Sequence, residues 1–185
     1  MYRPNLLKRD LFIGAVCALA LLPVAAFADD DISKNLLNSP NAGAWTTSGP
    51  TQTTSKVKDA NVQGGGAMQV KVTAATSHAW DDSASLPVDG KINSGDKIVV
   101  VVWMKASDTV ADAAGQANVR LQINTAPYTA LGEKMMSVGK DWQMYTLETT
   151  ATQDYSKGST NVSVHLGYAK QTIALGPCFI LDMGK

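Results

Sequence analysis

Short stretches in which apolar and polar residues alternate one by one are the feature that most constrains the fold of this chain. The alternation occurs in three places, residues 68–74, 119–124 and 162–167. A period of two places successive side chains on opposite faces of a strand, so each stretch predicts a strand with one buried face. No stretch has the spacing of a long amphipathic helix. The sequence therefore predicts an all-β domain.

Three further segments, residues 98–104, 142–147 and 179–183, are also predicted strands. The first is almost continuously apolar, which predicts a central strand buried on both faces. Residues 107–116 are predicted to form a loop or a short helical turn, and residues 38–55 a loop with a short strand. Many short strands separated by Gly, Asn, Asp and Pro turns predict a β-sandwich of two antiparallel sheets.

The first 28 residues have the pattern of a secretory signal peptide. Arg3, Lys8 and Arg9 precede an apolar run over residues 11–22, and the small-x-small sequence Ala26-Phe27-Ala28 follows. The apolar run is too short for a membrane span, which needs about 20 residues. We expect cleavage after Ala28, which leaves one domain of residues 29–185 that is secreted or periplasmic.

Charge and cysteine content exclude several classes of partner. The full chain has 16 basic and 16 acidic residues. Loss of three basic residues and Asp10 with the signal peptide leaves 13 basic and 15 acidic, a net charge of −2. Without a basic patch, nucleic acid and anionic membranes are unsuitable partners, and we expect no membrane insertion. Cys178 remains as a single cysteine, so no intrachain disulfide is possible, and we expect a monomer.

Several segments occur in the order found in a known family. These are Asn35-Leu36-Leu37-Asn38 with Trp45, residues 65–70, Trp80-Asp81 ahead of residues 95–98, Val101-Val102-Trp103-Met104-Lys105-Ala106, residues 141–145 and residues 179–182. Together they resemble the carbohydrate-binding modules of families 4 and 9. The resemblance implies a jelly-roll β-sandwich with a concave groove on one sheet. It also implies that the groove binds a polysaccharide or oligosaccharide without changing it chemically.

The family often holds a structural calcium ion between an early Glu and a late Asp. Asp182 matches the late Asp, but Pro40-Asn41 stands where the Glu is expected. Calcium takes about six to eight oxygen ligands, so one matching carboxylate is a thin basis for this site. We therefore expect no cofactor, with calcium at Asp182 as the alternative.

The outward side chains of the predicted strands supply groups that suit a sugar. Arginine is a rigid fork of donors, whereas glutamine and asparagine both donate and accept hydrogen bonds. Trp80, in a polar stretch, and Tyr128, in a predicted loop, are candidate stacking platforms, whereas Trp45 and Trp142 are predicted core residues. A solvated polar face with no ligand is the alternative for every outward residue. The candidate carbohydrate-binding residues are Trp80, Arg120, Gln122, His165, Tyr128 and Asn124.

Catalytic residues are not predicted. A glycosidase needs two carboxylates about 5–10 Å apart, yet the only glutamates are Glu133 and Glu148. Asp81 and Asp82 are adjacent, so in an extended chain their side chains point apart. Two alternatives to simple sugar binding stay open. One is an exported structural or adhesive envelope protein on the same fold. The other is a jelly-roll polysaccharide lyase or an accessory protein of a glycoside hydrolase, with His165, Arg120 and Tyr128 as the lyase residues.

Overall fold

The computed structural model describes residues 32–185, and the predicted signal peptide and cleavage site lie outside them. The described residues form ten strands joined by turns and five short 3-10 segments. No helix among them is long and apolar enough to cross a membrane. Strands β1 to β10 are, in order, Thr46–Ser48, Gln52–Lys58, Gly66–Val72, Ser83–Pro87, Lys97–Ser107, Gly115–Ile123, Ala130–Val138, Gln143–Thr150, Thr160–His165 and Gln171–Asp182. The 3-10 segments are Ile32–Asn35, Ala42–Ala44, Gln63–Gly65, Ala79–Asp81 and Val110–Asp112.

The strands form two five-stranded sheets. The first sheet has the order β1-β4-β9-β6-β7 and the second has the order β2-β3-β10-β5-β8. Every pair of neighbouring strands is antiparallel. The predicted all-β jelly-roll sandwich is therefore confirmed.

The core lies between the two sheets and is built by the alternation seen in the sequence. On β6, Val119 and Leu121 point inward and are fully buried, while Arg120 between them points outward. On β9, Val162 and Val164 are likewise fully buried. Burying a side chain of this size stabilises the fold by about 1.5–3 kcal/mol. The core therefore fixes which side chains of β6 and β9 face outward.

Strand β5 differs from the prediction for residues 98–104. Its inward side chains, such as Val100 and Val102, are fully buried, but Val101 and Trp103 on the opposite face are only partly buried. No further layer formed by residues 32–185 covers the outer face of the second sheet, and the prediction that β5 is buried on both faces was wrong. β-branched residues suit both faces of a pleated strand, which explains the continuous apolar run.

The sequence prediction missed three strands and the first half of β10. β2 is an edge strand in which Thr53, Thr54 and Ser55 are all exposed, so it lacks an apolar period. β4 has five residues, and β7 buries only Met136 and Val138. The loop prediction for residues 107–116 fits better, since a single 3-10 turn, Val110–Asp112, lies there.

The two tryptophans predicted for the core have different positions. Trp45 is buried, and its indole Nε1 donates to the Gly176 carbonyl at 2.8 Å. Trp142 is only partly buried, so its core prediction was wrong. Its Nε1 donates to Asp59 Oδ2 at 2.8 Å, and Lys105 Nζ lies 5.1 Å from its ring centroid. Trp142 lies just before the edge strand β8, where this polar contact replaces burial.

Asp59 is expected to make stability depend on acidity below pH 4. The hydrogen bond from Lys105 Nζ, 2.5 Å away, and then that from Trp142 hold the Asp59 pKa far below its usual range. A carboxyl with a depressed folded-state pKa stabilises the fold above its unfolded pKa of about 4, and this contribution is lost as the pH falls further. We expect Asp59→Asn to lower the free energy of unfolding at pH 7, because a neutral amide oxygen accepts weaker hydrogen bonds from Lys105 and Trp142 than a carboxylate does. Urea denaturation from pH 7 to pH 2 should show this deficit shrinking below pH 4. A deficit that does not change with pH would contradict the assignment.

Candidate functional site

The outer face of the first sheet carries polar side chains in rows across three strands. Because β9 pairs with both β4 and β6, the pairing partners of its residues define each row. The rows are Ser83, His165 and Asn118, then Ser85, Ser163 and Arg120, and finally Asn161 and Gln122. The first and third rows are four residues apart on β9, which corresponds to roughly 13 Å.

Two exposed aromatic side chains flank the set of rows, one beside the first row and the other beside the third. Trp80 lies on the 3-10 turn before β4, and its ring centroid is 6.3 Å from that of His165. Tyr128 lies in the loop that follows β6, at the Gln122 end. Trp80 is 56% exposed and Tyr128 52%. They bound a cleft of about 510 Å³ that crosses the strands, lined by Trp80, Ser83, Ser85, Arg120, Gln122, Pro127, Tyr128, Asn161, Ser163 and His165.

The floor of this cleft contains buried polar atoms with no partner. Gln122, Ser163 and His165 point away from the core, yet each is buried. Gln122 Oε1 and Asn161 Oδ1 are two of the seven side-chain polar atoms among residues 32–185 that lie out of solvent without a hydrogen bond. Such atoms are rare in folded proteins, because an unsatisfied buried polar group costs about 1–3 kcal/mol. Because both side chains also line the cleft, rotation of either amide group would turn its oxygen toward a ligand that donates hydrogen bonds.

Charges on the cleft floor largely compensate each other. Arg120 Nε lies 3.4 Å from Glu133 Oε2, and an Arg120 terminal nitrogen donates to the Tyr128 carbonyl at 3.2 Å. Arg120 Nε itself is buried and has no hydrogen-bond partner among the described residues, so its contact with Glu133 is a charge contact only. The guanidinium thus links the cleft floor to the Tyr128 loop. Its positive charge is offset by Glu133 of β7.

His165 is neutral at physiological pH. Burial, and then the positive charge of Arg120, lower the pKa of His165 to about 4, whereas Glu133 acts in the opposite direction. A neutral imidazole has one nitrogen that donates and one that accepts. His165 can therefore both donate to and accept from a hydroxyl group in the cleft.

The same pKa shift predicts how stability changes between pH 6.5 and pH 4. In this window the unfolded chain takes up a proton at His165 and the folded chain does not, so the free energy of unfolding falls as the pH falls. The effect reaches up to about 3 kcal/mol. We expect His165→Gln to remove this part of the slope when urea denaturation is measured from pH 7.5 to pH 4. Parallel curves for the two proteins would contradict a buried, neutral His165.

The loop that carries Trp80 is fixed at both ends. Asp82 is fully buried, and its carboxylate accepts hydrogen bonds from the backbone N–H and the hydroxyl of Thr51. The Gly167 N–H donates to the Ala79 carbonyl at 3.0 Å. A Cβ at position 167 would lie 2.0 Å from Thr76 Oγ1, so glycine lets the backbone at residue 167 pass close to Thr76. The backbone beneath Trp80 is therefore set by the surrounding fold.

The structure brings together five of the six candidate binding residues and separates the sixth. Trp80, Arg120, Gln122, Tyr128 and His165 all line the cleft. Asn124 does not, because it follows the end of β6 and its Nδ2 donates to the Gly158 carbonyl at 2.8 Å. The alternation that assigned Asn124 ends where the strand ends, at residue 123.

The acidic residues near the cleft have separate surroundings. Glu133 lies on β7 opposite Arg120. Asp81 accepts a hydrogen bond from the His78 backbone N–H at 3.0 Å, while Asp82 faces Thr51, so the two carboxylates do point apart as expected.

Several cleft residues were missed by the sequence prediction. Asn161 and Ser163 alternate with Val162 and Val164 as His165 does, so the same period would have found them. Ser83 and Ser85 lie on β4, which was not predicted as a strand. Small hydroxyl side chains resemble turn residues, and this concealed the alternation in β4.

A second cavity, of about 710 Å³, lies beside the second sheet. It is lined by residues 39–43, Lys56, Val57, Gln63, Gly64, Gly66, Ala67, Pro177 and Phe179. None of the polar atoms that are buried without a partner in residues 32–185 belongs to its lining. This cavity is larger, but its lining offers no unpaired buried polar atom that a ligand would satisfy. The cleft is therefore the better candidate for a binding site.

Asp182 offers a poor set of ligands for calcium. Asp182 Oδ1 already accepts a hydrogen bond from the Gly184 N–H at 2.8 Å. Residues 32–185 contain no cluster of three or more His, Cys, Asp or Glu side chains that could hold a metal ion. Calcium takes about six to eight oxygen ligands, and the side chains here supply few. Calcium binding at Asp182 stays a prediction that the surrounding side chains do not favour.

Sequence comparison finds no match, whereas structural comparison finds proteins with the same fold. No protein-family model matches the chain, and no curated protein matches its sequence. Among solved structures, a carbohydrate-binding module of family 4 has a TM-score of 0.59 at 16% identity, over 76% of this chain and 95% of that chain. The fold is shared with carbohydrate-binding modules.

Two further structures have the same architecture. The second N-terminal cellulose-binding domain of Cellulomonas fimi β-1,4-glucanase C has a TM-score of 0.58 at 15% identity, over 82% of this chain and 96% of that chain. The other structure contains the family 22 binding module and the catalytic module of Clostridium thermocellum endo-1,4-β-D-xylanase 10B in complex with xylohexaose. It has a TM-score of 0.53 at 15% identity. That match covers 81% of this chain and 28% of that chain. At these identities the likeness shows the fold alone.

Proposed function

We propose that this protein binds a polysaccharide or oligosaccharide chain in the cleft of the first sheet and does not alter it chemically. The observation that carries the proposal is the polar floor, where buried amide oxygens of Gln122 and Asn161 lack partners between two exposed aromatic rings. Sugar hydroxyls donate hydrogen bonds, and the apolar face of a sugar ring covers an aromatic ring. No other abundant ligand class combines these two properties so regularly along a chain.

The geometry of the cleft suits an extended chain. Trp80 and Tyr128 lie at opposite ends of the strands, so a ligand chain that crosses the sheet would pass between them over side chains of β4, β9 and β6. Structural neighbours that are carbohydrate-binding, cellulose-binding and xylan-related modules support this ligand class.

Binding should be weak. Stacking on Trp80 and several hydrogen bonds are opposed by lost translational freedom and desolvation, which cost about 4–15 kcal/mol. A net free energy of roughly −4 to −7 kcal/mol corresponds to dissociation constants from about 1 mM to about 10 μM. Such affinity suits the reversible capture of a polymer with many equivalent sites.

The charges favour a neutral glycan. Glu133 lies beside Arg120 and offsets its charge. A uronic acid placed over Arg120 would approach the Glu133 carboxylate, and like charges repel. A chain of neutral sugars avoids this cost.

The site lacks the groups needed for chemistry on sugars. Among residues 32–185, none of those that line the cleft is a carboxylate, whereas glycoside hydrolysis needs a pair. A lyase would need a base that is matched to neutral pH, but a histidine with a pKa of about 4 is a weak base there. We therefore propose a non-catalytic function, for an exported protein that retains a glycan or assists a separate enzyme.

Native gel electrophoresis with polysaccharide in the gel tests the proposal. The purified mature chain should migrate more slowly in gels that contain birchwood xylan, mixed-linkage β-glucan or hydroxyethylcellulose than in gels without polysaccharide. We expect retardation with at least one of them and no release of unsaturated oligosaccharide on prolonged incubation. Unchanged mobility in all three gels would contradict the proposal and favour an envelope protein with a vestigial cleft. Release of unsaturated products would instead establish a lyase.

A further inference from the structure

We infer that His78 is a positioning residue that holds the Trp80 indole ready for the sugar. This inference rests on the proposed function. The imidazole of His78 and the indole of Trp80 are stacked, with ring centroids 4.5 Å apart and planes at 14°. His78 does not line the cleft. It therefore acts on the ligand through Trp80.

The stack leaves one face of the indole free. One face of the ring is covered by His78, and a sugar can cover only the other. His165, from β9, lies 6.3 Å away with its ring plane at 64° to the indole plane. The indole is thus held by a parallel contact with one histidine and an edge contact with the other.

The backbone of His78 is itself fixed. Asp81 Oδ2 accepts a hydrogen bond from the His78 N–H at 3.0 Å and lies 3.7 Å from His78 Nδ1. Thr76 Oγ1 donates to the His78 carbonyl at 2.8 Å. The imidazole is therefore presented to Trp80 by contacts within its own loop, and 58% of the His78 side chain stays exposed.

Preorganisation explains why an exposed tryptophan gains from this contact. An exposed indole without a neighbour samples several rotamers, and a ligand that selects one of them must offset the lost entropy. Stacking on His78 restricts the ring before the ligand arrives. Because both residues are exposed, His78 adds more to binding than to the stability of the fold.

Two substitutions separate stacking from other roles of His78. We expect His78→Ala to weaken binding about 3- to 10-fold in the polysaccharide gel that retards the unmodified protein most. His78→Phe keeps a planar ring and should restore binding to within about twofold. The thermal midpoint of both variants should stay close to that of the unmodified protein. Wild-type binding by His78→Ala would overturn the inference, as would a His78→Phe variant as weak as His78→Ala.

A measurement without ligand tests the stack itself. His78 and His165 are the only two histidines of the chain, so their ring-proton resonances are easily assigned. We expect the His78 ring protons to move downfield in Trp80→Ala, because the shielding by the stacked indole is lost. Unchanged His78 resonances would overturn the inference even if the cleft binds sugar. Conversely, if no polysaccharide retards the unmodified protein, the proposed function fails, and the positioning role fails with it.

Discussion

Replacing Trp80 with alanine is expected to weaken polysaccharide binding roughly 50- to 100-fold and to leave the fold nearly as stable as before. A buried tryptophan covers about 150–250 Å² in total. With one indole face available, roughly 100 Å² is covered by the ligand, which at about 25 cal/mol per Å² is worth roughly 2.5 kcal/mol. Because Trp80 is mostly exposed in the free protein, its removal takes little from the core.

Trp142→Ala is the matched control for Trp80→Ala. Trp142 is a partly exposed tryptophan just before β8 of the second sheet, where it contacts Asp59 and Lys105. Its loss should lower the thermal midpoint and leave the retardation of the folded protein in polysaccharide gels unchanged. If Trp142→Ala weakened binding as much as Trp80→Ala, the ligand would contact the second sheet instead.

Gln122→Leu is expected to change stability and binding in opposite directions. The Gln122 side chain is buried and its Oε1 lacks a partner, so an apolar residue of similar size should raise the free energy of unfolding by about 1 kcal/mol. In the bound state, leucine would leave a sugar hydroxyl buried without a partner, which costs about 1–3 kcal/mol and weakens binding roughly 5- to 150-fold. Urea denaturation and gel retardation measure the two effects separately.

Gln69→Leu provides the comparison for Gln122→Leu. Gln69 is a half-buried glutamine on β3 of the second sheet, near Ser55. We expect its substitution to leave sugar binding unchanged. A Gln122→Leu variant that is destabilised and binds normally would mean that the floor amide has a structural role.

Local periodicity was sufficient to predict most of the fold. A period of two in β6 and β9 is imposed by the core, since Val119, Leu121, Val162 and Val164 must all face inward. β2 could not be predicted in this way, because an edge strand with few buried side chains shows no alternation of apolar and polar residues in its sequence. The partly exposed position of Trp142 could not be predicted from the sequence either, because it depends on a hydrogen bond with Asp59, which is distant in sequence.

The site was predictable to the extent that it follows from strand faces. Arg120, Gln122 and His165 are outward by alternation, and the antiparallel pairing of β6 with β9 then places them side by side. Trp80 was inferred from its polar stretch and Tyr128 from its predicted loop, but their positions on opposite sides of the rows depend on loop paths. The alternation of apolar and polar residues does not indicate that His78 stacks on Trp80, because this stacking depends on a 3-10 turn and on Asp81.

The four tryptophans allow the central claim to be tested by one NMR titration. Trp80 lies at the cleft and Trp45 in the core, while Trp103 and Trp142 lie toward the outside of the second sheet. The indole N–H resonances of nitrogen-15-labelled protein are followed as cellohexaose or xylohexaose is added. We expect the Trp80 resonance to shift with the ligand and the other three to stay in place. A shift of Trp103 or Trp142 with Trp80 unmoved, or no shift of Trp80 with either sugar, would contradict it.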